Sequence, residues 1–201
     1  MTKTYADLMG EHRKARRVKL LRVAADVISE RGIHNTTMDD VAEQAGVSKV
    51  VLYRYFGAKN KLVHAVLDEF VELVLEVDQE PADWWTERMT RTLKVAREVP
   101  SAMKLLVRHA AHDPEYGVHF EKLERALVAR VEERQAEILG DTDPVIKGTL
   151  ISETITAFLL DAYVRWTETG DPADDEAFLT WLTRSIRGIA YYWRGMNPPQ
   201  D

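Results

Sequence analysis

Between Thr36 and Leu62 the chain reads TTMDDVAEQAGVSKVVLYRYFGAKNKL, and the glycine at position 46 restricts it to few folds. Thr37 can cap a helix, and Asp39 and Asp40 then lie at the positive end of its dipole. Val41, Ala42 and Ala45 supply one inward face. Gly46 follows the last residue of that helix, where a left-handed backbone is needed and a β-carbon is penalised. Val47 plugs the corner, and Ser48 is the cap of a second helix. Leu52, Tyr53 and Phe56 mark that helix's buried or half-buried side, and Gly57 ends it. Lys59 and Lys61 stand at the next restart, where amides and ammonium groups together can hold a phosphate. Two short helices joined at a glycine corner form a helix-turn-helix, whose second helix lies in the DNA major groove. An ordinary helical hairpin shares the caps and the corner. The aromatic pair and the lysines at fixed spacing favour the DNA-reading device.

The same residues carry a family resemblance. Thr37, then Ala45-Gly46-Val47-Ser48, then Leu52-Tyr53-Arg54-Tyr55-Phe56, then Lys59 to Leu62 resemble the DNA-binding domain of TetR-type transcriptional regulators. The likeness covers about the first third of the chain. It implies three N-terminal helices, a connecting fourth, and a C-terminal helical domain that dimerises and binds a small molecule. Tyr53, Tyr55, Thr37 and Lys59 resemble the family's backbone-contacting positions. Lys49, Val50 and Val51 open the recognition helix with Ser48 and are placed to meet base edges, valine against thymine methyls and lysine against guanine acceptors. Arg54 is a base or phosphate contact. Tyr53 also suits core packing, and Phe56 is assigned to core. The family often has a small residue and threonine where this chain has Val50-Val51, which leaves the operator sequence open.

Charge distribution agrees with a nucleic-acid partner at one end. The net charge is −6. Residues 1–62 nevertheless hold 12 Lys and Arg against 7 Asp and Glu, while residues 63–201 hold 15 against 26. A module of charge +5 thus precedes a body of −11, the asymmetry that DNA binding requires. The basic run His12-Arg13-Lys14-Ala15-Arg16-Arg17 reads either as a phosphate- or groove-contacting arm or as a solvated first turn of helix 1. The chain contains no cysteine, which excludes disulfides and thiolate metal sites. With no apolar run near the ~20 residues of a membrane span and no signal-peptide core, a cytoplasmic location is expected.

The whole pattern is helical, giving an all-α class of about nine helices. The organisation expected is a DNA-binding domain over 1–62 and an effector-binding and dimerisation domain over 63–201, linked by a helix from about 58. In helix 1, Leu20, Leu21, Ala24, Val27 and Ile28 form one apolar stripe. The linking helix runs to Gln79, and Pro81, Pro100, Pro114, Gly140 to Pro144 and Gly170 to Pro172 break the remainder. Helices are predicted near 83–98, 101–111, 115–139, 144–169 and 174–195. The last two carry broader apolar faces than one small bundle can hide, so a second copy is expected to cover part of them. The interface candidates are Ile155, Leu159, Tyr163, Trp166, Trp181, Ile186, Ile189 and Trp193. The family resemblance implies the same homodimer and a palindromic operator.

The resemblance also implies a small-molecule effector pocket. Lining candidates are Trp84, Trp85, Met89, Met103, Leu106, His109, Phe120, Leu123, Thr154 and Phe158, all of them residue types that also build plain core. His109, His112, Glu115 and His119 raise a metal site, but no second ligand cluster accompanies them and helix-terminal histidines are the simpler reading. No Gly-rich phosphate loop, Gly-x-Ser-x-Gly or His-Glu-x-x-His is present, so neither catalysis nor a cofactor is expected. The function expected is a ligand-responsive repressor. A helical adaptor or an unusual enzyme is the competing class.

Overall fold

The computed structural model describes residues 5–82, 85–139 and 148–198. Trp84 and the expected break from Gly140 to Pro144 lie outside the described residues. The helices are α1 (Tyr5–Arg31), α2 (Met38–Gln44), α3 (Lys49–Phe56), α4 (Lys59–Gln79), α5 (Trp85–Glu98), α6 (Pro100–Lys104), α7 (Gly117–Leu139), α8 (Gly148–Thr169) and α9 (Asp175–Tyr192). The fold is all-α, with no strand among the described residues. None of the described helices is long and apolar enough to cross a membrane.

The chain forms two compact units. The first is built from the chain up to Phe70 together with Ser101–His119. Its core joins Leu20, Leu21, Ala24 and Ile28 of α1 to Val41 of α2, Leu52 and Phe56 of α3, and Leu62, Val63 and Val66 of α4. Helix α1 is longer than its apolar stripe requires. It begins at Tyr5, so the basic run at His12 to Arg17 sits inside a helix and not on an extended arm.

The expected helix over 101–111 changes character halfway. After α6, residues Leu105–Ala110 form a π-helical segment, and the amide of Ala111 donates to the carbonyl of Leu106 five residues back at 3.0 Å. In an α-helix, positions five apart diverge by about 140° around the axis. The wider turn brings Leu105 and Ala110 to one side, and both are completely buried.

An imidazole pair fastens α4 to the start of α7. Nδ1 of His64 lies 2.7 Å from Nε2 of His119, and Nδ1 of His119 lies 3.1 Å from the Asp68 carboxylate. One ring nitrogen of the close pair must donate and the other accept. Just upstream, the Asp113 carboxylate accepts from the amides of Glu115 at 2.9 Å and Tyr116 at 3.2 Å, and it meets Nε2 of His34 at 2.8 Å. Burial opposes the Asp113 charge, yet these hydrogen bonds hold its carboxyl below the usual value. Among the described residues, no group of three or more His, Asp or Glu side chains is arranged to hold a metal ion.

The second unit comprises Val71–Pro100 and the chain from Phe120 onward. Met89, Leu93 and Ala96 of α5 meet a core that includes Leu123, Val131, Ile151, Ile155, Leu160, Val164 and Leu182. Polar anchors fix the ends of these helices. Arg97 donates to both Asp175 oxygens, at 2.6 and 3.3 Å, and to the carbonyl of Gly170. The indole of Trp166 donates to the same carboxylate at 2.6 Å and stacks on Phe178 with centroids 4.6 Å apart. Asp78, almost fully buried, receives Arg130 at 3.3 Å. The buried hydroxyl of Tyr163 donates to the carbonyl of Met89, and burial raises its pKa far above the ordinary phenol value.

Candidate nucleic-acid interface

The glycine corner adopts the backbone that its sequence demands. Gly46 has φ +62° and Gly57 has φ +78°. Thr37 forms a reciprocal cap: its hydroxyl accepts from the amide of Asp40, while the Asp40 carboxylate accepts from the amide of Thr37. The Thr37 hydroxyl also donates to the Asp40 carboxylate at 2.7 Å, and this bond, followed by that from the Thr37 amide, lowers the Asp40 pKa. Ser48 caps α3 with its backbone only, since the amide of Val51 donates to its carbonyl and the side chain makes no capping bond. Ser48 is exposed.

Helix α3 buries Leu52 and Phe56 and turns its remaining face outward. Val50 is 75 % exposed. Lys49, Tyr53 and Arg54 are exposed beside it, while Val51 and Tyr55 are half-buried. Exposure of Tyr53 separates it from the core role that the sequence also allowed. The Lys49 ammonium meets the Asp39 carboxylate at 2.6 Å, and this hydrogen bond raises its pKa. The same ammonium sits 5.9 Å from the Tyr53 ring centroid. Lys59, half-buried, donates to the carbonyl of His34 at 3.2 Å.

Helix α1 brings to this face basic groups of the run that the sequence left open between a DNA-contacting arm and a solvated first turn. Arg13, Arg16 and His12 line a cleft with Arg54 and Tyr55 of α3. The guanidinium of Arg13 stands 6.0 Å from the Tyr55 centroid, and that of Arg17 stands 5.8 Å from the Phe56 centroid. Arg13 and Tyr55 are 42 residues apart in sequence, and only packing brings them together. The sole signal in the sequence was the run's density of positive charge.

The candidates in the C-terminal region fall in different settings. Met103 and Leu106 are completely buried in the first unit, where His109 is half-buried. In the second unit Met89 and Leu123 are buried, Phe120 and Phe158 are half-buried, and Thr154 is exposed with its hydroxyl donating to the carbonyl of Leu150. Trp85 lines a cavity of about 410 Å³ with Val131, Arg134, Gln135, Ile155, Ile186, Arg187 and Tyr191. Of the interface candidates, Trp181 is 53 % exposed and Trp193 is exposed, Ile186, Ile189 and Trp166 are half-buried, and Ile155, Leu159 and Tyr163 are buried by the chain itself. Leu150 and Tyr192, exposed on the same two helices, belong to their apolar faces but were not among the interface candidates.

Residues 20–66 match the family model described as bacterial regulatory proteins, tetR family. The chain is 47% identical over 60 residues to the HTH-type transcriptional activator FasR of Mycolicibacterium smegmatis, a match covering 30% of this chain and 27% of that protein. It is 32% identical over 133 residues to the HTH-type transcriptional regulator RutR of Escherichia coli, covering 63% and 61% of the two. These matches therefore span less than two thirds of the relatives' lengths. The fold is shared with a TetR-like transcriptional regulator from Rhodococcus sp. RHA1, at TM-score 0.67 and 22% identity over 90% of this chain and 94% of that one.

Proposed function

Because the chain belongs through its N-terminal domain to the TetR family of bacterial regulatory proteins, we propose that it is a ligand-responsive repressor that binds a palindromic operator as a homodimer and leaves it when a small molecule binds. The observation that carries this reading is the outward face of α3, where exposed Val50 stands beside Lys49, Tyr53 and Arg54 at the end of a glycine-cornered helix pair. An exposed valine flanked by cations suits a groove in which thymine methyls and guanine acceptors alternate.

Contacts divide by role. Ser48, Lys49, Val50, Val51 and Arg54 address base edges or the adjoining phosphates. Thr37, Tyr53, Tyr55 and Lys59 address the backbone, joined by Arg13 and Arg16 from α1. Dimerisation through exposed Trp181 and Trp193, with Ile186 and Ile189, sets two copies of α3 about 34 Å apart, one duplex turn. Ile155, Leu159 and Tyr163 support that face from beneath. The domain organisation proposed is a reader over 1–62 and an effector and dimer body over 63–201, with α4 carrying the signal. Ligand favours one packing of the body's helices, and by linkage DNA must weaken ligand by the same factor as ligand weakens DNA.

Gel shift on the DNA upstream of the chain's own gene tests the reading. A salt-sensitive, sequence-specific complex containing two chains supports it, and a reporter placed behind that DNA gives the sign of regulation, which in FasR is named activation. Absence of specific binding favours a helical adaptor.

A further inference from the structure

We propose that Asp39, in the first turn of α2, is a specificity-determining residue of the DNA-reading face: it withholds the Lys49 ammonium from the phosphates of unrelated duplex and so widens the gap between operator and non-operator binding. The inference rests on the reading of α3 as the groove-facing helix and adds a positioning residue to it.

Helix α2 carries three acidic side chains, Asp39, Asp40 and Glu43. Asp40 is engaged in the fold. It closes the cap with Thr37 and meets Arg31 at 2.5 Å. The Asp39 carboxylate takes no part in that cap. It reaches across the corner to α3 and accepts from the Lys49 ammonium at 2.6 Å. The same ammonium lies 5.9 Å from the Tyr53 ring centroid, so a carboxylate and an aromatic face both hold it. The two side chains are 65 % and 48 % exposed, Asp39 and Lys49 respectively. An ion pair this open contributes little to stability. Its effect falls on whatever approaches Lys49.

The rest of the face is cationic. Arg54 is exposed, and Arg13 and Arg16 line a cleft with it whose described lining includes no Asp or Glu. Such a surface attracts any duplex through its phosphates, and that attraction carries no sequence information. Asp39 opposes it at Lys49. A phosphate oxygen must displace the carboxylate oxygen already bound there, and the displaced carboxylate repels it. A guanine edge offers acceptors without a net charge, so it meets less repulsion. A repulsive element of this kind discriminates by weakening the wrong partner more than the right one.

Glu43 supplies the control. It is exposed one turn along the same helix, and its replacement by Gln removes an equal charge while leaving the bond between Asp39 and Lys49 in place.

Fluorescence anisotropy of the full chain tests the proposal, on its own upstream DNA and on a scrambled duplex of equal length and composition, across a salt series. Asp39→Asn is expected to tighten binding to the scrambled duplex about tenfold and to the upstream DNA by no more than about twofold, so their ratio falls about fivefold. The salt slope on the scrambled duplex should steepen by about 1 as Lys49 becomes a phosphate contact. Asp39→Glu should keep most of the ratio. Glu43→Gln should leave it within about twofold. In a Lys49→Ala background, Asp39→Asn should have little further effect on it. Circular dichroism melts establish that each variant is folded, and Asp39→Ser provides a second removal of the charge with the same expectation. An unchanged ratio in both Asp39→Asn and Asp39→Ser, an equal fall in Glu43→Gln, or a fall that persists without Lys49 overturns the proposal. The DNA-reading account fails separately: a parent protein with no preference between the two duplexes overturns that account and the role of Asp39 with it, whereas a sequence-specific parent whose ratio Asp39 does not move overturns the role of Asp39 alone.

Discussion

The guanidinium of Arg13 on α1 lies over the ring of Tyr55 on α3, 6.0 Å from its centroid. This contact ties the charged stretch of one helix to the outward face of another and extends the positive surface beside α3 to Arg16. A cation held on an aromatic face stays near the surface without losing its charge.

Arg13→Ala is expected to weaken DNA binding by a similar factor on specific and unrelated duplexes. The slope of log affinity against log salt should flatten by about 1. Fluorescence anisotropy across a salt series measures it. An unchanged slope removes Arg13 from the phosphate contacts.

Gly46→Ala isolates the corner's backbone requirement. Gly46 has φ +62°, and a β-carbon built there meets no atom within 4 Å, so the penalty is conformational and not steric. Thermal denaturation should show a loss of about 1–2 kcal/mol, or roughly 2–8 °C in Tm. Gly46→Asn should lose less, because asparagine tolerates the left-handed region. Equal losses for both variants contradict a conformational origin.

Asp175 links stability to acid. Burial opposes its charge, but hydrogen bonds from Arg97 and Trp166 hold its carboxyl below the usual 3.8. A carboxyl with a lowered folded-state pKa adds stability that is fully present above the unfolded value, about pH 4, and is lost as pH falls through the folded value. Asp175→Asn should therefore cost about 2 kcal/mol at pH 7, roughly 4–8 °C in Tm. The gap from the parent protein should narrow as pH drops below about 4. A gap that stays constant into strong acid contradicts the linkage.

Trp181→Glu tests the proposed self-association. Trp181 is 53 % exposed and Tyr192 is 64 % exposed on the same helix, so a carboxylate there is tolerated by a single chain and resisted by an apolar contact between two. Light scattering is expected to shift the variant toward monomer at micromolar concentration, and affinity for a two-half-site duplex should fall at least about tenfold. An intact dimer places the interface elsewhere.

The local chemistry of the motif was legible because it is local. A cap at Thr37, a left-handed residue at Gly46 and a stop at Gly57 depend on neighbours within a few positions, and each took the expected backbone. The number and class of the helices followed from apolar spacing and proline breaks. Periodicity marks an apolar face but not what covers it. That is why Ile155, Leu159 and Tyr163, read as partner-facing, are enclosed by the chain's own helices. Pairings between distant segments left little trace either. Arg13 with Tyr55, His64 with His119, and Arg97 with Asp175 join residues whose sequence separations carry no pattern. The π turn at Leu105–Ala110 is likewise set by the core it fills.

The most direct measurement is hydroxyl-radical footprinting of the chain's own upstream DNA with the full protein and with a Lys49→Ala/Val50→Ala/Arg54→Ala variant that melts normally. The account predicts two protected half-sites about 10 base pairs apart, centre to centre, with protection lost in the variant. Identical footprints for both proteins, or protection without sequence preference, would contradict the claim that α3 reads duplex DNA.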